Sequence, residues 1–182
     1  MTIGVVGIGG LGTMGIKIAK ALGHEVVAIS TSKNKEEIAK QKGASHFVVS
    51  TDPESMATMK GKINLILATI SADHDVNHYM TLLAKKGTIV ELGLVKKPHT
   101  IGPLGLMYQR HAVAGSGIGG IKETQEVLDL CSKHQMWPDC ETITASKLDW
   151  CWEQLNGSNK DGIRYVIDVK ASLEDKSFVP SE

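Results

Sequence analysis

The chain is predicted to be α/β, a doubly wound parallel sheet, on three observations. A glycine-rich turn, Gly7-Ile8-Gly9-Gly10-Leu11-Gly12, joins an apolar strand pattern to an amphipathic helical one. Apolar runs then alternate with helical patterns as far as Gly115, the mark of successive strand–helix–strand units. One run, Ile63–Ala68, is nearly continuous in apolar residues, as a parallel strand covered on both faces must be.

The elements follow in order. Ile3–Val6 is the first strand, and Thr13–Leu22 the first helix, stopped at Gly23. Between them the glycines have separable tasks in a G-x-G-x-x-G turn. Gly7 permits the tight turn off the strand, Gly9 lets the backbone approach a pyrophosphate, and Gly12 lets the helix pack closely on the sheet. The helix's first N–H groups then face the anion. Val26–Ile29 is the second strand, Lys35–Gln41 a short charged helix ended by Gly43, and His46–Val49 the third strand. After the fourth strand, Ile63–Ala68, a helix is expected over Asp73–Lys85, with Gly87 opening the strand Thr88–Leu92. Lys96–Gly105 is turn-rich, and His111–Gly115 is the sixth strand. This makes residues 1–120 a Rossmann core. Beyond Gly119-Gly120 the pattern changes to a helix (Lys122–His134), a strand (Thr142–Ala145), a helix (Lys147–Leu155) and a strand (Arg164–Val169). Residues 121–170 thus form a C-terminal helix-strand segment, and 171–182 a tail that carries Pro180.

Composition bounds the function. With 182 residues, 42% hydrophobic content and formal net charge +0, the chain can bury a core and has no basic excess for nucleic acid. It contains no apolar run of about 18 residues to span a membrane and no secretory leader pattern. Cys131, Cys140 and Cys151 lack C-x-x-C spacing, so neither a disulfide framework nor a zinc knuckle is expected. Buried reduced thiols and a cytoplasmic location are the expectation.

The residues after the second strand decide the cofactor. An NAD-preferring domain places Asp or Glu about 20 residues past the glycines, to hold the ribose hydroxyls. Here the segment reads Ser30-Thr31-Ser32-Lys33-Asn34-Lys35. Hydroxyls followed by two ammonium groups suit a 2′-phosphate, and no carboxylate repels it. Ser32 or Asn34 can also cap the following helix, and the two roles are compatible. NADP(H) is the expected cofactor.

Three strings carry a resemblance. Val5-Val6-Gly7-Ile8-Gly9-Gly10-Leu11-Gly12, Ile29-Ser30-Thr31-Ser32, and Gly115-Ser116-Gly117-Ile118-Gly119-Gly120-Ile121-Lys122-Glu123-Thr124-Gln125-Glu126 resemble the cinnamyl alcohol dehydrogenase branch of the zinc-dependent medium-chain alcohol dehydrogenases. Arg164-Tyr165-Val166-Ile167-Asp168 is similar to that branch's closing strand. The resemblance runs in order to about Val169. It implies NADP(H)-dependent interconversion of aldehydes and primary alcohols, with hydride moving between the nicotinamide and a zinc-polarised carbonyl. It also implies that Gly7–Gly12 cradle the pyrophosphate and that Ser30–Lys35 hold the adenosine phosphate. By the same resemblance Thr69 and Gly93 line the cofactor crevice, and Ser116, Gly117 and Ile118 lie beside the nicotinamide. A homodimer continuing the sheet across the sixth strand is implied as well.

The departures bear on activity. The family carries an N-terminal catalytic domain with zinc ligands from Cys, Gly-His-Glu and a second Cys, plus a four-cysteine structural zinc lobe. Three scattered cysteines, Cys131, Cys140 and Cys151, cannot build either site with the thiolate geometry zinc prefers, so that domain is read as absent, and the chain as a truncated form, inactive by itself. Thr13 stands where many relatives carry His, and Asn64 and Ala68 stand where acidic residues are common. No Tyr-x-x-x-Lys pair offers a substitute catalyst. His74 and His78, spaced i, i+4 beside Asp73 and Asp75, are read as solvent-facing residues at a helix start capped by Asp73, not as metal ligands. Cys131 is read as core packing and Lys96-Lys97 as a solvated turn. Trp150 and Trp152, two apart, point to different helix faces, so one face expects a partner. In the family, Lys147–Val169 packs on the catalytic domain; here a separate chain supplies the partner, or the sequence is part of a longer product, or the segment has repacked. Two functions stand: the NADP(H)-binding portion of an alcohol dehydrogenase, and a non-catalytic NADP(H)-binding or sensing module.

Overall fold

The computed structural model describes residues 1–156 and 162–174. Its main sheet is six-stranded and parallel throughout: β1 (Thr2–Val6), β2 (Glu25–Ser30), β3 (His46–Val49), β4 (Ile63–Ala68), β5 (Leu83–Glu91) and β6 (Ala112–Gly115), in spatial order β3-β2-β1-β4-β5-β6. The order reverses between β1 and β4, and ligands of such sheets bind at the carboxyl ends of the strands beside that switch point. β4 takes the central place its apolar run requires, with Leu67 in register with Val5 on one side and Val90 on the other.

Strand parity sorts the core onto two faces. Val5, Val26 and Ala28 pack with Ile16 and Ala19 of α1 (Gly10–Ala21) and Ala39 of α2 (Glu36–Gln41). Their chain neighbours Val6, Val27 and Ile29 face the other way, toward Met56 of α3 (Pro53–Thr58) and Val76, Tyr79 and Met80 of α4 (Val76–Met80). The doubly wound architecture is as expected. α3 was not expected; Asp52 caps it, accepting from the Glu54 N–H, with Pro53 in its first turn, a start signal legible in the sequence.

The helix expected over Asp73–Lys85 is shorter at both ends. Asp75, not Asp73, is its cap, accepting from the Asn77 N–H. It stops at Met80, because the Leu82 carbonyl accepts from the N–H groups of Lys62 and Ile63 and Leu83 already pairs with Ile63. Val76, Tyr79, Met80, Leu82 and Leu83 are all buried. Their spacing fits one apolar helical stripe, yet the last two belong to an extended segment. The register then shifts before Leu65 meets Thr88, with Lys86 at φ 65 just ahead of Gly87. Within the stretch read as turns and its continuation lies α5 (Pro103–Gln109), ended by Arg110 at φ 54.

Beyond β6, α6 (Ile121–Lys133) leads to a separate two-stranded parallel sheet of β7 (Cys140–Ile143) and β8 (Arg164–Ile167). β7 begins two residues before the expected Thr142. α7 (Leu148–Asn156) places Trp150 edge-on to Tyr165, ring centroids 5.5 Å apart, and leaves Trp152 exposed, so the two rings do serve different faces. α8 (Val169–Glu174) occupies the start of the expected tail; residues 175–182 lie outside the described ones. Cys131 and Cys151 are buried free thiols, whereas Cys140 is exposed, contrary to expectation.

Asp139 ties this second sheet to the first. Its carboxylate meets Lys17 Nζ at 3.1 Å and Lys42 Nζ at 2.8 Å, and Lys17 also donates to the Trp137 carbonyl at 2.7 Å. Burial works against the charged carboxylate, but the two ammonium groups outweigh it and hold its pKa below the ordinary Asp value. A carboxylate with a lowered folded pKa contributes stability above its unfolded pKa and loses it as pH falls through the folded one. Asp139→Asn is therefore expected to cost about 1 kcal/mol or less at neutral pH, since solvent reaches the pair. It should also flatten the stability decline below about pH 4, as read by urea melts across that range.

Candidate functional site

The glycine loop lies at the carboxyl end of β1, beside the switch point. Gly7 has φ +92, open to glycine and strained for other residues. A Cβ on Gly12 would fall 1.8 Å from the Gly7 carbonyl oxygen, so only glycine lets α1 start this close to the strand. At Gly9 a Cβ would meet nothing within 4 Å; the loop's middle faces open space, as a pyrophosphate cradle must. Gly10 and Leu11 open α1, which has no side-chain cap hydrogen bond, leaving first-turn N–H groups for an anion. Ile8 is buried in the core and anchors the loop. Thr13 is buried too, its hydroxyl donating to the Gly10 carbonyl.

The residues after β2 reach this loop through Lys35. Ser30 ends β2, and its carbonyl accepts from the Ser50 N–H. The Thr31 carbonyl accepts from the Thr51 hydroxyl, and the side chains of Ser32 and Asn34 cap no helix. Lys33 to Lys35 form a single helical turn. Lys35 reaches back across the loop, Nζ donating to the Ile8 carbonyl at 2.9 Å, while Lys33 remains extended into solvent. The nearest carboxylate in sequence, Glu36, is engaged by Lys40 at 2.6 Å, and that hydrogen bond lowers its pKa.

Thr69, at the end of β4, donates its hydroxyl to the carbonyls of Val6 and Gly7 at 2.8 and 3.1 Å. It acts on the loop by holding the β1 turn. Gly93 permits a close approach of chains: a Cβ there would lie 2.0 Å from the Ile70 carbonyl oxygen. Ser116, just past β6, donates its N–H to the Glu91 carbonyl, and Gly117 and Ile118 follow it into the open, Ile118 fully exposed. Thr69, Gly93 and Ser116 thus sit at the carboxyl ends of three neighbouring strands.

Arg164 was not foreseen at the loop. Its guanidinium lies where a Gly10 Cβ would be, 1.9 Å from that position, and Gly162 packs against the Gly9–Gly10 backbone. The closing strand therefore delivers a permanent cation to the glycine turn. Its distance in sequence, with β8 belonging to another sheet, hid that role.

His74 and His78 do not share a face. His78 Nε2 is turned to the Ser50 carbonyl at 2.8 Å. His74 precedes α4, its side chain only 7% exposed, and faces Glu91 and His99, contrary to the expected solvent position. Lys97 is exposed as expected, pairing with Asp73 at 3.4 Å. The family's own zinc sites do not fit the residues present. The one Gly-His-Glu, Gly23-His24-Glu25, joins α1 to the amino end of β2, where Glu25 pairs with His46, and the three cysteines lie elsewhere, in α6, at the start of β7 and in α7.

Comparison with known proteins agrees with this geometry. The sequence model of the family described as zinc-binding dehydrogenase matches residues 10–133. The chain is 42% identical to cinnamyl alcohol dehydrogenase 8 of Arabidopsis thaliana, over 96% of its own length and 48% of the relative's. A cinnamyl alcohol dehydrogenase structure from Sorghum bicolor superposes with TM-score 0.86 at 34% identity, covering 94% of this chain and 48% of that one. One from Helicobacter pylori, complexed with NADP(H), gives 0.79 at 33% identity, over 93% and 48%. The chain spans about half the length of these relatives. From its glycine turn to the end of α6, it belongs to the zinc-binding dehydrogenase family.

Proposed function

We propose that the chain is the NADP(H)-binding portion of an alcohol dehydrogenase-type oxidoreductase that interconverts aldehydes and primary alcohols. The observation that carries this reading is the phosphate cradle. Gly9 faces open space and Lys35 reaches across the loop, while residues 30–35 hold hydroxyls and ammonium groups without a carboxylate. The Helicobacter pylori relative complexed with NADP(H) supports the cofactor. The chain's residues bind and orient. The start of α1 and Arg164 neutralise the diphosphate, and Ser30–Lys35 hold the adenosine side. Gly93 and Ser116–Ile118 border the nicotinamide, which supplies or accepts the hydride when bound.

Titration of NADPH fluorescence against the 182-residue chain is expected to give saturable binding, and none would overturn the reading. Cinnamaldehyde reduction by this chain alone is expected to stay at background, because it lacks the family's zinc ligands. Fusing a relative's zinc-ligand domain ahead of Met1 should give chelator-sensitive NADPH oxidation. Turnover by the unfused chain with chelator present would refute the division of labour; a fusion that binds NADPH yet never turns over would favour the sensing module.

A homodimer across β6 is part of the same proposal. β6 is the outermost strand, Ala112, Ala114 and Gly115 are exposed along it, and Met107, Tyr108 and Ile121 are exposed on the flanking helices. Such an edge is a template for pairing with its own copy. Sedimentation should show a dimer, and a monomer at high concentration would count against it. Buried thiols at Cys131 and Cys151 support a cytoplasmic setting, and no helix among the described residues is long and apolar enough to cross a membrane.

A further inference from the structure

We infer that His74, Glu91 and His99 form a divalent-cation site of the zinc class, separate from the zinc sites of the family. Glu91 is the last residue of β5, in register with Ala68 and Gly115 at the ends of its neighbours. His74 comes from the segment after β4 and His99 from the turn after β5, so the sheet's carboxyl edge brings the three together. One ligand atom from each lies within 4.8 Å of the others.

Three features point to a cation. First, His74 Nδ1 lies 2.9 Å from the Ala72 carbonyl. A carbonyl only accepts, so Nδ1 carries the hydrogen, and the Nε2 lone pair is left aimed at Glu91. Fixing a ligand histidine by a backbone carbonyl on its other nitrogen is the usual outer-shell arrangement of metal sites. Second, His74 Nε2, both Glu91 carboxylate oxygens and His99 Nε2 are buried without a hydrogen-bond partner, and the side chains are only 7, 15 and 15% exposed. Buried polar atoms are otherwise satisfied in native proteins. Third, the separations are 3.5 Å from His74 Nε2 to Glu91 Oε1 and 3.7 Å from His99 Nε2 to Glu91 Oε2. These exceed hydrogen-bond lengths. Ligand atoms about 2.0–2.2 Å from a tetrahedral ion stand roughly 3.3–3.6 Å apart, close to what is seen.

Two imidazoles and one carboxylate are a borderline N/O donor set that suits zinc and, in the laboratory, cobalt, with a fourth position left for solvent. The surroundings hold the ligands in place. Lys97 pairs with Asp73 at 3.4 Å, tying the two loops together beside the site. Tyr79 packs edge-on to His74 at 5.7 Å, and the two imidazoles stack at a tilt with centroids 4.8 Å apart. The bound ion would clamp the segment after β4 to the turn after β5, at the rim of the cofactor crevice.

Titrating Co²⁺ into the chelator-treated full chain tests this. One equivalent is expected to give visible d–d absorption of a four- or five-coordinate site, and Zn²⁺ should abolish it. Glu91→Gln, nearly isosteric, and His99→Ala should each weaken Co²⁺ binding by about tenfold or more. Cys140→Ser and His134→Ala, which alter an exposed thiol and a remote histidine, should leave it unchanged. Zn²⁺ should also raise the wild-type melting temperature above that in chelator, as any ligand of the native state does. Glu91→Gln should melt in chelator like wild type and lose that rise. Absence of stoichiometric Co²⁺ binding, or binding that survives both ligand substitutions, overturns the site. The NADPH titration is independent of it, so either reading can fail alone.

Discussion

Gly12→Ala is expected to weaken NADPH binding by about 100-fold or more and to destabilise the fold, although it adds one methyl group. The new Cβ would lie 1.8 Å from the Gly7 carbonyl oxygen and 3.0 Å from Thr69 Oγ1. The first obstacle is backbone, which cannot rotate aside as a side chain does. Either α1 slides off the sheet or the β1 turn unwinds, and the turn is held by both Thr69 hydrogen bonds. Overpacking typically costs about 1–3 kcal/mol and more where nothing can yield, so a loss of about 3 kcal/mol is expected. Because the N–H groups proposed to face the phosphate move with the helix start, affinity should fall by about 100-fold or more. Gly15→Ala in the same helix is the contrast. Its Cβ would meet Val5 and Leu67 methyl groups at 3.7 and 3.8 Å, ordinary contact. Replacing a mid-helix glycine there should raise stability by about 0.5–1 kcal/mol and leave affinity unchanged. Urea melts and NADPH titrations of both variants decide it. Equal behaviour of the two would mean the close approach at Gly12 does not shape the cradle.

Legibility followed the range of the interactions. The glycine turn, the strand ends and the central place of Ile63–Ala68 are local patterns, and the strand order obeys the rule for doubly wound sheets. The segment 73–85 misled because Val76, Tyr79, Met80, Leu82 and Leu83 carry a helical period up to a point where tertiary hydrogen bonds from Lys62 and Ile63 capture the Leu82 carbonyl. Periodicity reports which residues are buried, not which backbone partner each finds. The start of α3 carries a local signal, the cap Asp52 followed by Pro53, that periodicity alone does not report. Arg164 at the glycine loop and the meeting of His74, Glu91 and His99 had no local signal. Each is assembled from segments far apart in the chain, and only the folded sheet brings them together. His78, four residues from His74, was the natural partner by helical spacing, and the late start of α4 at Val76 is what separates them.

NADPH is expected to bind far more tightly than NADH, and Thr31→Ala with Lys35→Ala should remove the difference. The discrimination rests on a phosphate-sized charge meeting hydroxyls and an ammonium group where other domains present a carboxylate. Lys35 is already drawn over the loop, donating to the Ile8 carbonyl at 2.9 Å. Part of the entropy of ordering its long chain is therefore lost before the cofactor arrives, and exchanging a neutral carbonyl for a phosphate oxygen strengthens the bond. Lys33, 82% exposed and 4.0 Å from Glu36, contributes mainly through a field that salt screens. Each charge-assisted contact is worth about 1.5–3 kcal/mol, so loss of Lys35 alone should cut the NADPH affinity by roughly 10- to 150-fold. NADH affinity should barely change, because it presents no 2′-phosphate to that ammonium. Lys33→Ala should have a smaller effect that vanishes at high ionic strength, whereas the Lys35→Ala effect should persist. Dissociation constants for both cofactors, measured at low and high salt, separate these terms. Equal constants for NADPH and NADH in the wild-type chain would show that Ser30–Lys35 do not form a phosphate pocket.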